Sequence, residues 1–164
     1  MAKKKLAVIM DPIATITPEK DGTLGMLLEA QSRSYELTYF EQKDLRIING
    51  IAIGSGRHLN VEDNTTSWFA LSEENEMPLS DFDVILMRKD PPFNTEYIYT
   101  TYILDLAESL GVLVINSPQS LRNFNEKVSV SFFPDCAAPS LVSSSIEDLQ
   151  DFLKLHKKIV VKPL

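Results

Sequence analysis

The segment from Asp83 to Phe93 constrains what this chain can fold into more than any other part of it. Val84, Ile85, Leu86 and Met87 form an apolar run with no polar alternation, the pattern of a central parallel strand covered on both faces. The run stops at Arg88, Lys89 and Asp90, and Pro91 and Pro92 then fix two φ angles that hold the chain out of the sheet. Charges at the carboxyl end of such a strand stand where open α/β sheets place ligands.

The residues before this segment spell a βαβ unit. A strand is expected over Lys5–Met10, a helix over about Thr23–Ser34 and a second strand over Tyr35–Phe40. Leu24, Leu27, Leu28 and Gln31 share one helical face, on which only Gln31 is polar, and either Asp21 or Thr23 can cap the helix. The exit Asp11-Pro12 repeats Asp90-Pro91 in miniature, so both loops are expected to open at the same edge of the sheet. Between Glu41 and Asp81 the helical period disappears. Asn49-Gly50 inside Arg46–Ile53 is a type I′ hairpin signal, and Trp68, Phe69 and Leu71 are expected to cover a core edge rather than to form a patch for a partner.

Beyond the opening segment, Asn94 or Thr95 can cap a helix with Tyr99, Tyr102, Ile103, Leu106 and Leu110 at helical spacing and Gly111 at its end. Tyr97, Tyr99 and Tyr102 are read as packing residues. Val112–Ile115 is a further apolar run, hence another buried parallel strand, followed by Ser117 as N-cap and Pro118 at a first helical position. A boundary falls near Asn123. After it, Ser144 and Glu147 have capping-box spacing before a helix running to about His156, with Ile146, Leu149, Phe152 and Leu153 inward, and Ile159–Lys162 reads as a strand. The expected fold is therefore α/β, a Rossmann-like, mostly parallel sheet flanked by helices over residues 1–122, with a second and incomplete unit over 123–164.

Sixteen Lys and Arg against twenty-three Asp and Glu give a net charge of −7, so the chain lacks the basic stripe that a nucleic-acid backbone attracts. The apolar run Leu6–Met10 is too short for a signal peptide core or a membrane span. The single cysteine, Cys136, excludes an intrachain disulfide and fits a reducing cytoplasm; it reads as a small core residue rather than a nucleophile. No Gly-rich phosphate loop, Gly-x-Ser-x-Gly or metal-spaced His pair occurs.

Ionic residues at favoured places carry what chemistry remains. Arg88 can grip a carboxylate in a bidentate fork, and Asp11 or Asp90 can accept from an ammonium or amide group. Arg88 and Asp90 can equally pair with each other. Lys127 and Lys162, in the second unit, read either as solvated lysines or as two cations that close on a polyphosphate.

Several segments together resemble one family. Met10-Asp11-Pro12-Ile13, Met26 to Gln31, Asp83 to Phe93 with its Met-Arg-Lys-Asp-Pro-Pro-Phe core, Asn116 to Arg122, Asn125-Glu126-Lys127 and Val161-Lys162-Pro163-Leu164 are similar to bacterial glutathione synthetase, in the same order and at similar spacing. The resemblance runs the length of the chain. It implies an ATP-grasp ligase that joins γ-glutamylcysteine to glycine through an acyl phosphate, with release of glutathione, ADP and phosphate. It implies that Lys127 and Lys162 contact ATP, and that Arg88 and its loop stand beside the dipeptide pocket; Asp11, Arg88 and Asp90 are thus the expected substrate-binding residues.

The family's sequence continues past Lys-Pro-Leu into a Gly-rich loop, an adenine pocket and the Mg2+ ligands. The chain is accordingly expected to be an N-terminal portion that does not catalyse alone, from a cytoplasmic homotetramer with no nucleic-acid or membrane partner. A stand-alone module that binds small anions or self-associates is the rival reading, and an ATP-grasp ligase for another amino acid a third.

Overall fold

The computed structural model describes residues 3–163. Strand β1, Lys5–Ile9, lies between two parallel neighbours, β2, Glu36–Phe40, and β6, Val84–Met87. From Leu6 through Met10 every residue is buried, which accounts for a run without alternation. Strand β7, Leu113–Ile115, pairs parallel with β6 and completes the parallel part, and the short helix α3, Pro118–Asn123, follows it.

The region between Glu41 and Asp81 is an antiparallel block. Strand β3, Leu45–Ile48, turns through Asn49 and Gly50, both at positive φ, into the long strand β4, Ile51–Val61, as a type I′ turn requires. Strand β5, Phe69–Pro78, pairs with β4 from Ile53 to Val61. A strand has two edges. Since Ile53, Gly54, Arg57 and Leu59 of β4 all pair with β5, the pairings of β4 with β3 and with β2 must share its other edge, one after the other.

Two apolar cores sandwich the sheet. On one face α1, Gly22–Ser32, buries Leu24 and Leu27 against Leu6, Val8, Leu37 and Leu59; Trp68, Phe69 and Leu71 pack at this core's edge. Asp21 caps α1 by accepting from the Leu24 N–H at 2.8 Å. Gln31, the polar residue on the inner stripe, is used structurally, since its amide donates to the Val61 carbonyl and accepts from the Val61 N–H, closing the end of β4. The other face holds Ile9, Phe40, Ile85 and Met87 beneath α2, Thr95–Ser109.

Helix α2 starts and stops where expected, with Asn94 as its N-cap and Gly111 at positive φ after it, but it presents a different face. Tyr97, Thr100, Thr101, Leu104 and Ala107 are buried, whereas Tyr99, Tyr102 and Leu110 are exposed. The threonines can be buried because each hydroxyl donates to a carbonyl of its own helix, Thr100 to Glu96 and Thr101 to Ile98. Of the three tyrosines only Tyr97 packs in the core. Tyr102 instead lies beneath the Arg122 guanidinium. Strand β7 is likewise an edge strand: Val114 is buried, while Leu113 and Ile115 on the opposite side are 57% and 42% exposed.

The chain divides into two units, one ending at Arg122 and the other beginning at Asn123. In the second, α4, Ile146–His156, is capped by Ser145, which accepts from the Asp148 N–H, so the cap stands one residue later than expected. None of its residues is buried, and Ile146 and Leu153 are exposed. Ile159–Lys162 is irregular rather than a strand, because no other strand among the described residues of this unit offers a ladder for it to join. Cys136 is exposed and not part of a core.

The sheet is tightest where Phe40 crosses β4. A Cβ on Gly56 would stand 2.5 Å from Phe40 Cε1, 2.6 Å from its Cζ and 2.8 Å from Thr38 Cγ2, while a Cβ on Gly25 in α1 meets nothing within 4 Å. Gly56→Ala should therefore cost about 1–3 kcal/mol by overpacking, and Gly25→Ala should add about 0.5–1 kcal/mol through the helix. Denaturant titration of the two variants checks both signs.

Candidate functional site

Because β1 and β6 are parallel neighbours, their exits lie side by side, and Asp11 joins them. Its carboxylate accepts from the Asp90 backbone N–H at 3.0 Å and from Lys89 Nζ at 2.9 Å. Lys89 also donates to the Asp90 carbonyl. The two loops whose sequences echo one another are thus held together by one carboxylate.

Beside this clamp opens a cavity of about 430 Å³ at the carboxyl ends of β1, β2 and β6. Met10, Asp11 and Pro12 from the first exit form one wall, and Lys89 comes from the second. The corner between β2 and β3 contributes Glu41, Gln42 and Lys43, and α2 contributes Glu96, Tyr99, Thr100 and Ile103. Apolar walls with a few convergent charges suit a small polar ligand.

The corner residues are organised by hydrogen bonds. Asp44 accepts from the Glu41 N–H, which tightens the turn. The Glu41 carboxylate accepts from the Tyr39 hydroxyl at 3.1 Å and pairs with Lys43 Nζ at 2.9 Å. Tyr39 in turn accepts from the Ile13 N–H. Burial of the phenol raises Tyr39 well above the ordinary tyrosine range, so it stays a donor. The bond from Lys43, reinforced by that from Tyr39, lowers Glu41 below the usual carboxylate value of 4.5 despite some burial, so it stays an acceptor.

Asp11 lines the cavity; Asp90 reaches it only through the backbone N–H bound by Asp11. Arg88 neither lines the cavity nor pairs with Asp90: its Nε donates to Thr23 Oγ1, at the start of α1, at 3.0 Å, and it makes no ion pair among the described residues. Strand alternation explains this. Leu86 belongs to the core on the α1 face and Met87 to the core on the α2 face, so Arg88 continues toward α1 and Lys89 toward α2 and the cavity. That parity is readable in the sequence and identifies Lys89 as the inward cation. Glu41, Gln42, Lys43 and Glu96 carry no motif; only the fold brings them together.

In the second unit, Lys127 Nζ stands 3.9 Å from Glu126, and Lys162 is exposed with no hydrogen bond or ion pair among the described residues. The Lys162 ammonium is therefore without a partner among the described residues, while that of Lys127 is held near the Glu126 carboxylate. Among the described residues no group of three or more His, Cys, Asp or Glu is arranged to hold a metal ion. No helix among them is long and apolar enough to cross a membrane.

An α/β domain on a mixed sheet, with a ligand-sized crevice outside the ends of its parallel strands, is the class that fold and site define. Residues 5–122 match the family described as prokaryotic glutathione synthetase, N-terminal domain. The chain is 51% identical over 160 residues to the glutathione synthetase of Escherichia coli strain K12, covering 98% of this chain and 51% of that protein. It is 48% identical over 160 residues to that of Pseudomonas putida, covering 98% of this chain and 50% of the relative. The chain belongs to the prokaryotic glutathione synthetase family, and it spans about half the length of these relatives.

Two outcomes follow from the clamp and the corner. Asp11→Ala should cost about 1 kcal/mol in thermal or chemical unfolding by releasing the Asp90 N–H and Lys89, and Asp11→Asn should cost less because its amide oxygen still accepts. Glu41 has a lowered folded-state pKa, so its contribution is complete above the ordinary carboxylate value of 4.5 and is lost as pH falls through the lowered value. The stability difference between the parent and Glu41→Gln should accordingly be larger at pH 7 than at pH 3, as denaturant titrations at the two pH values would measure.

Proposed function

We propose that this chain supplies the dipeptide-binding part of a glutathione synthase, which ligates γ-glutamylcysteine to glycine with hydrolysis of ATP to ADP and phosphate. The observation that carries this reading is the Asp11 clamp beside the cavity, built on a chain about half identical to glutathione synthetases along its length. Asp11 and the Asp90 N–H fix the loops at the cavity. Arg88, on the neighbouring α1 side and free of any carboxylate, is the cation for a substrate carboxylate that approaches across the strand ends.

Lys127 and Lys162 are proposed to contact ATP phosphates as the opening of an ATP-grasp domain. The unpaired Lys162 ammonium, and that of Lys127 with its long contact to Glu126, suit that role, and ATP supplies the activating phosphoryl group when it binds. Neutralising phosphate charge and holding the acceptor in line is what cations contribute to such a transfer. Magnesium does not fit the carboxylates described here, so no step is assigned to it in this chain. Its ligands are proposed to correspond to the half of the relatives that this chain does not match. A cytoplasmic homotetramer is the assembly in which we place the enzyme.

A second reading, that the first unit binds a small ligand unaided, draws on one observation: every residue of the cavity precedes Arg122. It is compatible with the first.

The test joins residues 1–164 to the second half of the Escherichia coli K12 relative and measures ADP release with γ-glutamylcysteine, glycine, magnesium and ATP. The expected result is glutathione formation by the chimera and none by the 164-residue chain alone. In the chimera, Arg88→Ala should lower kcat/KM for γ-glutamylcysteine more than about tenfold with little change in Tm. A folded chimera that makes no glutathione would sink the reading.

A further inference from the structure

The loop that leaves β1 is pinned by two aromatic residues that do not line the cavity, Tyr39 and Trp68. Both bind the backbone of Ile13, which is itself buried. The Ile13 N–H donates to the Tyr39 hydroxyl at 3.2 Å, and the Ile13 carbonyl accepts from the Trp68 indole N–H at 3.0 Å. Tyr39 lies on β2, and Trp68 stands just before β5, where it packs on Phe69 at the edge of the α1-side core. Two distant parts of the sheet thus converge on one residue of the loop.

The other end of the loop is fixed as well, since the Met10 N–H donates to the Phe40 carbonyl at 3.1 Å. Only Asp11 and Pro12 lie between Met10 and Ile13, and the ring of Pro12 fixes its φ angle. With both ends bonded, little more than a choice of side-chain rotamer is left to Asp11. Tyr39 acts on a second wall too, because its hydroxyl donates to the Glu41 carboxylate, and Glu41 lines the corner side of the cavity. Burial keeps the phenol protonated and therefore able to accept from one wall while donating to the other.

We infer that Tyr39 and Trp68 are positioning residues: by fixing Ile13 they set where the Asp11 carboxylate stands, and so maintain its bond to the Asp90 N–H and the geometry of the cavity. The link from that geometry to catalysis rests on the proposed function; the link from the two aromatic residues to Asp11 concerns the free chain alone. A phenol or an indole packed in a core needs a hydrogen-bond partner in any case. Loss of stability on removing either bond is therefore no evidence of positioning. The Asp90 amide is, since it belongs to the other exit loop and its bond is to Asp11 rather than to either aromatic residue.

The experiment compares Tyr39→Phe and Trp68→Phe, each of which keeps an aromatic ring and deletes the polar hydrogen, with Val114→Ala, a core truncation on β7. Amide hydrogen exchange at Asp90 is measured by NMR on the 164-residue chain without ligand. All three variants should have a lowered Tm, but only the two aromatic variants should speed Asp90 exchange, by about fivefold, the order of one neutral hydrogen bond. In the chimera, the same two should raise KM for γ-glutamylcysteine by about fivefold with kcat within about twofold of the parent, and Val114→Ala should change neither. Unchanged Asp90 exchange in the aromatic variants, or equal acceleration by Val114→Ala, would overturn the inference. So would an unchanged KM in an active chimera. A parent chimera that makes no glutathione would remove the proposed function and leave Asp90 exchange to decide the positioning of Asp11.

Discussion

The burial of β1 on every side is the constraint from which the remaining structure follows. With β2 and β6 both parallel to it and a helix over each face, β1 has no edge and no solvent face, and its residues from Leu6 to Met10 are all inside. The chain can leave such a strand only at its end, and there a carboxylate has to find partners. Asp11 finds them on the neighbouring exit, in the Asp90 N–H and Lys89. The core thereby sets the geometry of the strand exits, and two of its residues, Met10 and Leu45, line the cavity there.

Much of this was legible in the sequence because it depended on local rules. Unbroken apolar runs mark strands buried on both faces, Asn49-Gly50 marks a type I′ turn, and Asn94 and Asp21 mark helix starts; each of these devices acts within a few residues. What could not be read depended on long-range partners. The inner face of α2 was hidden because Thr100 and Thr101 look polar until their hydroxyls are seen bonded to the helix's own carbonyls. β7 reads as buried on both sides, yet it stands at the sheet's edge with only one neighbour among the described residues. The corner residues Glu41 to Lys43 and the helical Glu96 meet in space from positions more than fifty apart in number, so no spacing rule connects them. Lys89 is an intermediate case: the parity that turns it inward is visible, once Leu86 and Met87 are assigned to opposite faces.

The two units differ in kind. The first has two cores and, among the described residues, a seven-stranded sheet, so its cavity walls are held by packing. The second has a well-capped helix with strong local signals and no buried side chain on it. Capping and propensity define where α4 starts and stops, but a helix gains most of its stability from an apolar face laid against something else. Ile146 and Leu153 have nothing of that kind among the described residues of this unit.

The shared edge of β4 has a consequence for ligand size. β2 pairs with it through Leu37 to Tyr39 and β3 through Leu45 to Ile48, and the rungs between are given up to the turn at Gln42–Asp44. That corner, with Glu41, Gln42, Lys43 and Leu45, forms one wall of the cavity, and the β1 and β6 exits and α2 form the others. The position of one of the cavity's walls is therefore set by the length of a short corner. Relatives could lengthen or shorten that corner, and so admit a larger or smaller ligand, while β1, β6 and both helices stay where they are.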